Sequence, residues 1–397
     1  MLPSFLYISL GRIFLKEPGK EAKPIESIFA RSMIDRAQQI RQRNAWKTQG
    51  FGARFMSGGM PWSDSQDDPD QAELPVVINS VSRGIRDGEI LYSLASGEIG
   101  GVFSIDLSGE NERRLLHTAD FRINELNASA SEDRIACVIR TKAGSHIAVM
   151  RGDGGELSDV TQGDSVDASP LWVPGTPHEM LYQSAGIARN GAGMAVGTSA
   201  SQIMKVRIDS GTTEVLLGDA QHDYLGPKFD ALGNLYCIRK PHESLTPSFN
   251  PFRVIWDLVL MPVRLLFALF QFMNFFTMRY TGKTLVSSGD LRQRHIDPRQ
   301  MLIMENLLHA RGAKSLFAPH RQNWKVSRSW TLVKKPTTGA VESIATGVLT
   351  FDLCGDGSIL YSNGNRIFAR TPDGETEEIL KEQFISQVLA LPTAPQP

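Results

Sequence analysis

Asp87-Gly88-Glu89-Ile90-Leu91-Tyr92-Ser93 is a tight-turn dipeptide followed by a short apolar run, and the chain repeats it. The run returns as Asp133-Arg134-Ile135-Ala136-Cys137-Val138, as His178-Glu179-Met180-Leu181-Tyr182-Gln183, as Gly233-Asn234-Leu235-Tyr236-Cys237-Ile238 and as Asp356-Gly357-Ser358-Ile359-Leu360-Tyr361-Ser362. The anchors Ile90, Ile135, Met180 and Leu235 are 45, 45 and 55 residues apart, and Ile359 follows after 124. Runs of this length, rich in Ile, Leu, Val and Tyr and bounded by Gly/Asp/Asn turns, read as β-strands.

A second run follows each of four anchors. It is Gly101-Val102-Phe103-Ser104-Ile105-Asp106-Leu107, His146-Ile147-Ala148-Val149-Met150, Gln202-Ile203-Met204-Lys205-Val206-Arg207-Ile208 or Arg366-Ile367-Phe368-Ala369-Arg370. Each leads into a turn rich in Gly, Asp and Ser: Ser108-Gly109, Gly152-Asp153-Gly154-Gly155, Asp209-Ser210-Gly211 and Pro372-Asp373-Gly374. Glycine there supplies the positive φ of a hairpin. A third run closes the unit, as in Arg113-Arg114-Leu115-Leu116, Thr213-Glu214-Val215-Leu216-Leu217 and Glu377-Glu378-Ile379-Leu380. A period near 45 with this order of features is the pattern of a β-propeller blade. Such a sheet cannot bury both faces alone, and radial packing buries them.

The fold class is therefore all-β: a propeller of five or six four-stranded blades, five of them visible as repeats, with an N-terminal helical arm and a helical insertion in one blade. The boundaries are 1–62 for the arm, 63–74 for an acidic linker, 75–240 for the first blades, 241–327 for the insertion, 328–391 for the last blade and ring closure, and 392–397 for a tail. A sixth unit would come from residues 50–75 or from the insertion. The run Phe384 to Leu391 reads as a closing strand that pairs near Val76-Val77-Ile78.

The repeats resemble the TolB-type, WD40-like propeller family. The likeness lies in a Pro/aromatic turn, two apolar strands, an Asp-x-x-Gly-Gly turn and a Leu-rich end. It is carried by Ser169-Pro170-Leu171-Trp172-Val173-Pro174-Gly175 and by Gly226-Pro227-Lys228-Phe229-Asp230, over about residues 75–240 and 328–391. The full Trp-Ser-Pro-Asp-Gly form is nowhere intact. The resemblance implies protein–protein interaction more often than catalysis.

With 42 Lys+Arg against 43 Asp+Glu, no global field favours nucleic acid. Residues 1–60 nevertheless hold ten Lys/Arg against four Asp/Glu, a net of +6, and 64–73 are acidic. A helix is predicted over Pro24–Lys47, with Ile25, Ile28, Phe29, Met33, Ala37 and Ile40 as its apolar stripe and Arg31, Arg36, Arg41 and Arg43 mostly off it. Such a basic helix suits an anionic membrane, a groove, or the flank of its own domain. The start, Met1 to Leu10, is apolar but short. Its basic residues, Arg12 and Lys16, follow the run, so it does not read as a cleaved leader.

The long gap interrupts one blade, whose next strand resumes at Ser329-Trp330-Thr331-Leu332-Val333. Inside it, residues 252–278 are the most hydrophobic stretch of the chain. Arg253, Asp257, Arg264, Gln271 and Asn274 would share one narrow helical stripe. Summed transfer energies are near zero, with roughly −6 kcal/mol from Leu, Ile, Val and Phe set against +3 for Arg264 and more for the other polar residues. A single span would also separate two strands of one blade. The segment therefore reads as interfacial or re-entrant, broken at Pro262. Membrane or partner contact is expected from Trp256, Leu260, Leu265, Leu266, Phe267, Leu269, Phe270, Phe272, Phe275 and Phe276. The basic flank would be Arg31, Arg36, Arg41, Arg43, Arg279 and Lys283. The expected location is the cytoplasmic side of a membrane, held peripherally.

No catalytic residue, cofactor or metal site is assigned. Thr281-Gly282-Lys283-Thr284 lacks the first glycine of a phosphate loop, no Gly-x-Ser-x-Gly elbow exists, and the eight histidines are scattered. Cys137 and Cys237 stand where Tyr92, Tyr182 and Tyr361 stand in other repeats. With Cys354 they read as buried structural thiols. His222-Asp223 opens the fourth repeat and is a candidate for a turn or for the channel wall. Residues 186–197 read as a long hairpin. The leading function is a non-enzymatic scaffold at a membrane surface with an unidentified protein partner. The alternatives are a subunit of a larger membrane-associated complex and a propeller hydrolase acting at the channel mouth.

Overall fold

A computed structural model describes residues 3–48, 76–96, 99–141, 144–243 and 325–392. Residues 1–38, 73–245 and 297–397 form one compact unit, which holds every described strand. Residues 39–72 and 246–296 form a second, of which only the end of one helix is described.

The described strands run as six antiparallel four-stranded meanders, two of them joined in one nine-stranded sheet. Meander I takes β1 (Phe5–Ser9), β2 (Arg12–Lys16) and β3 (Lys23–Ile25) from the start of the chain. Helix α1 (Ile28–Thr48) follows. Meander II is β4 (Val76–Arg83), β5 (Glu89–Ser96), β6 (Ile99–Asp106) and β7 (Arg113–Thr118). Meander III is β8 (Arg122–Ser129), β9 (Arg134–Arg140), β10 (Ser145–Arg151) and the two-residue β11 (Ser158–Asp159). Meander IV is β12 (Ser165–Trp172), β13 (Glu179–Arg189), β15 (Gln202–Arg207) and β16 (Thr212–Leu217), with β14 (Ala195–Thr198) folded back on β13. Meander V is β17 (His222–Phe229), β18 (Leu235–Pro241), β19 (Thr331–Lys335) and β20 (Glu342–Thr346). Meander VI is β21 (Thr350–Leu353), β22 (Ile359–Ser362), β23 (Arg366–Arg370) and β24 (Thr376–Lys381). The last strand, β25 (Ile385–Ala390), joins β1 and completes meander I. One parallel bridge, Ser145 to Val166, ties III to IV.

The first strands contact each other in the closed order β4, β8, β12, β17, β21, β25 and back to β4. The fold is a β-propeller. The rim where these strands begin is called proximal below, and the rim where they end, distal.

Six apolar clusters fill the six junctions. Leu6, Ile8 and Ile13 meet Ile90, Tyr92 and Phe103 between I and II. Leu91 and Val102 meet Ile135 and Cys137 between II and III. Val138 and Ile147 meet Trp172 and Met180 between III and IV. Leu181 and Ile203 meet Tyr224 and Cys237 between IV and V. Tyr236 and Leu332 meet Phe351 and Tyr361 between V and VI. Leu360 and Ile367 meet Phe5 and Tyr7 between VI and I. Alternate residues of each second strand thus enter alternate junctions, as the two-residue side-chain period requires. That is why these strands read as continuous apolar runs rather than half-buried ones.

The position two after each anchor faces one cross-strand partner in every meander. It is Tyr7 with Phe14, Tyr92 with Phe103, Cys137 with Ala148, Tyr182 with Met204, Cys237 with Val333 and Tyr361 with Phe368. The three aromatic pairs stack with centroids 5.1, 5.3 and 5.1 Å apart. Cys137, Cys237 and Cys354 are free and buried, as the repeat alignment required. Burial pushes the Cys137 and Cys237 thiols up to about 12, so they are poor nucleophiles.

Four expectations are corrected. Residues 5–25 are strands, not part of an arm, and every residue of β1 is buried. Removal of this segment as a leader would take out three strands. The closing strand pairs with Phe5–Ser9, not with Val76–Ile78. The additional meander comes from the two chain ends, not from residues 50–75 or the insertion. Helix α1 starts later than predicted. Pro24 lies in β3 opposite Phe14, and the Ser27 hydroxyl caps the helix by accepting from Ala30 N at 2.9 Å. Ile25 is therefore a strand residue, and Ile28 is exposed, while Phe29, Ala30, Met33 and Ile34 pack on the core. The side chains of Ala37, Ile40, Arg41 and Arg43, and all of the linker at 63–74, lie outside the described residues.

Gly154, in the β10–β11 turn, has φ +89, and a Cβ there would sit 2.3 Å from the Leu115 carbonyl of the next meander. Gly211, at φ +65, has open space around it. Gly211→Ala should lower stability by about 1–2 kcal/mol, the penalty of the left-handed conformation. Gly154→Ala should lose a further ~1–3 kcal/mol from the clash. Urea unfolding of the two variants measures the difference.

Candidate functional site

Five of the six first strands break register where they face the axis. The breaks fall at Ile78/Ser80, Ile123/Leu126, Ala168/Leu171 and Leu225/Lys228, and at Ser386 in β25. A bulge re-aims side chains, and here the bulged residues line a narrow channel neck of about 130 Å³. Ser169-Pro170 and Gly226-Pro227, the dipeptides on which the family resemblance rests, occupy equivalent bulges. Ser169 and Gly226 have φ of 52° and 59°. Proline fits such a position because its missing N–H leaves no ladder bond unmade.

The neck is polar, and its polar groups are engaged from one meander to the next. Between I and II, Gln387 Oε1 accepts from Val81 N at 2.9 Å and its amide donates to Val81 O at 2.7 Å. Between II and III, Asn79 donates to Asn124 at 3.2 Å, and Leu126 N donates to Ser80 Oγ at 3.1 Å. Between III and IV, Glu125 accepts from Ser169 N and from its hydroxyl, while Asn127 Oδ1 accepts from Trp172 N at 3.0 Å. Between IV and V, Gln183 Oε1 accepts from Gly226 N at 3.1 Å. Between V and VI, Lys228 Nζ meets Asp352 Oδ1 at 2.9 Å. The other oxygen of Asp352 accepts from Ala390 N at 2.8 Å and so joins VI to I.

Sequence reasoning missed this belt. Its signal was the repeat period itself: Asn79 bonds Asn124 and Asn127 bonds Trp172 across 45 residues. Polar first-strand residues one period apart, such as Asn79 and Asn124, each eleven residues before its anchor, mark the belt.

The neck opens distally into a cavity of about 590 Å³ walled by all six meanders. Its wall includes Arg83, Glu132, Trp172, Lys228, Asp352 and Leu389. The proximal rim carries the β13–β14 hairpin, as the sequence suggested for 186–197, and the ends of β18 and β19 that flank the interruption. The restart of the strand near Trp330 is as predicted. There Asp223 is buried and holds Lys240 Nζ at 2.7 Å and His242 Nδ1 at 2.8 Å, with Trp330 stacked under Lys240. His222 pairs with Asp219. Neither His222 nor Asp223 lines the neck or the distal cavity.

The expected contact residues Trp256, Leu260, Leu265, Leu266, Phe267, Leu269, Phe270, Phe272, Phe275 and Phe276, with Arg279 and Lys283, lie outside the described residues. Arg31 and Arg36 are exposed on α1. Among the described residues no helix is long and apolar enough to cross a membrane, and no cluster of three or more His, Cys, Asp or Glu is placed to hold a metal.

No protein-family model matches the chain. No curated protein sequence matches it either. Solved structures do. A chain of the nidogen/laminin complex superposes with a TM-score of 0.51 at 10% identity, over 98% of both chains. TolB from Acinetobacter baumannii gives 0.48 at 10% identity, over 97% of this chain and 66% of that one. The tricorn protease gives 0.42 at 10% identity, over 98% of this chain and 34% of the protease. At such identities the likeness is one of fold.

Asp352 is buried and links meander VI to V through Lys228, to I through Ala390 N and to II through Arg83 at 4.0 Å. Asp352→Ala should lower stability by about 3–5 kcal/mol, because it strands Lys228 and an amide. Gln387→Ala should lower it by about 1–2 kcal/mol. Thermal melts of both variants provide the check. Burial raises the Asp219 carboxyl, but hydrogen bonds from Tyr224 O–H, Gln221 N–H and His222 outweigh it and bring it down to about 2. Its folded value lies below its ordinary 3.8, so its stabilisation is present above pH ~4 and is lost as pH falls towards 2. The stability of Asp219→Asn should therefore fall less than that of the wild type over that window in urea titrations.

Proposed function

We propose that the chain is a non-enzymatic six-bladed propeller that binds a protein partner and sits peripherally on the cytoplasmic side of a membrane. The observation that carries the first part is the belt. Glu125 and Gln387 line the neck and Asp352 the distal cavity, on the axis where a catalytic propeller would place its acid, base or electrophile. Each instead accepts hydrogen bonds or an ion pair from the neighbouring blade. A group held this way stabilises the ring and is not poised to exchange protons with a substrate.

Sequence supports the membrane part. Residues 252–278 combine a long apolar run with a polar stripe, and Arg279 and Lys283 follow at once. Burying even half of that apolar surface exceeds the marginal hold of one myristoyl chain. Flotation of the full chain with phosphatidylserine-containing and neutral liposomes, at two salt concentrations, tests it. Binding should need the anionic lipid, weaken with salt, and disappear when 251–279 are deleted. A deletion variant that floats as well as the full chain would sink this part. Purification as a stoichiometric assembly that ignores both liposomes would assign the segment to docking within a larger complex.

A further inference from the structure

We propose that the distal cavity receives a cationic side chain, lysine or arginine, from a basic segment of the partner. This rests on the reading of the chain as a protein-binding propeller and supplies the chemistry of what it binds. The cavity, at about 590 Å³, is several times the volume of the neck. Part of its wall is apolar, with Val173, Pro174, Leu353 and Leu389, which suits the aliphatic stem of a long basic residue.

The acceptor for the head group is Glu132. Glu132 lies on the cavity wall; its Oε1 accepts from His178 N at 3.3 Å, while its Oε2 is buried and accepts no hydrogen bond. His178 Nδ1 stands 3.9 Å from it, an ion-pair distance when the imidazole is protonated but too long for a hydrogen bond, and 3.5 Å from Asp209 Oδ1. A buried carboxylate oxygen without a donor is unfavourable until a donor arrives. The two cations of the wall do not compete for it. Lys228 is held by Asp352, and Arg83 donates to the Ala390 carbonyl at 3.2 and 2.9 Å.

The rim adds long-range attraction. Asp87, Asp133, Asp230 and Asp356 stand in the turns that join first to second strands, all on the distal rim, against Arg86 alone in those turns. Asp230 and Asp356 are kept ionised: burial raises them, but hydrogen bonds from Asn234 and Ser358 leave both below the usual carboxylate value. A ring of such charges at a concave mouth steers cations inward.

The test is fluorescence anisotropy of the full-length protein with a fluorescein-labelled nona-arginine peptide and with a Gly/Ser peptide of equal length. The arginine peptide should bind at least tenfold tighter and weaken from 50 to 300 mM salt. Glu132→Gln should weaken it about tenfold, and so should Asp87→Asn/Asp133→Asn, whose exposed turn positions keep the test valid if Glu132→Gln does not fold. Asp120→Asn/Glu382→Gln, on the proximal rim, should change affinity by less than twofold. Equal affinity for both peptides, wild-type affinity in the folded distal variants, or an equal loss in the proximal control would overturn the proposal. The assay contains no lipid, so its outcome is separate from that of the flotation experiment. A loss of binding to every peptide, basic or neutral, overturns the cavity assignment without touching membrane attachment.

Discussion

A four-stranded sheet with two apolar faces is insoluble by itself, and the rest of this molecule follows from how that problem is solved. Each meander is covered on both sides only because the sixth junction, between VI and I, is closed by residues from opposite ends of the chain. Phe5 and Tyr7 from the start and Ile385 and Val388 from the end share one cluster with Leu360 and Ile367. Without that junction two apolar faces would meet water, and the loss would spread. Strand β25 also supplies the main-chain group that Asp352 binds and the Gln387 side chain that Val81 binds. Apolar closure and the polar belt therefore depend on the same strand.

This arrangement explains what was legible in the sequence and what was not. Complete repeats could be read from their period, because each second strand buries both faces and cannot tolerate a polar interruption. The anchors Ile90, Ile135, Met180, Leu235 and Ile359 all sit in strands at equivalent positions. The split repeat could not be read the same way, since no stretch of chain contains all of it. Phe5-Leu6-Tyr7-Ile8-Ser9-Leu10-Gly11-Arg12-Ile13-Phe14 does match Ile359-Leu360-Tyr361-Ser362-Asn363-Gly364-Asn365-Arg366-Ile367-Phe368, with one extra residue in the first run and one in the second turn. Its place at the chain start made it read as part of an arm. Helix α1 was misjudged for a different reason. Proline suits both a first helical turn and an outermost strand, and the choice was settled by Ser27, whose hydroxyl reaches the amide three residues on.

The site was less legible than the fold because its residues carry no motif of their own. Asn79, Glu125, Gln183 and Asp352 are unremarkable one at a time. They gain a role only when a period of about 45 residues brings each beside a main-chain or side-chain partner on the next meander. Functional polar positions in a propeller are therefore better sought as pairs one repeat apart than as clusters in sequence.

Repetition also acts as an amplifier of local choices. An Asp in a two- to four-residue turn is selected by the amide groups it can bind, as Asp230 does with Leu232 and Asn234 and Asp356 does with Ser358. One such turn carries no field of consequence. The topology places every first-to-second-strand turn on the same rim, so a choice made for local hydrogen bonding is summed around the axis. The charge ends up on the rim of the larger cavity, while the wall's cations, Lys228 and Arg83, are engaged by Asp352 and by the Ala390 carbonyl. The electrostatic character of that face thus comes from turn chemistry and radial symmetry together. Any partner that meets it encounters a carboxylate rim before it encounters the apolar wall.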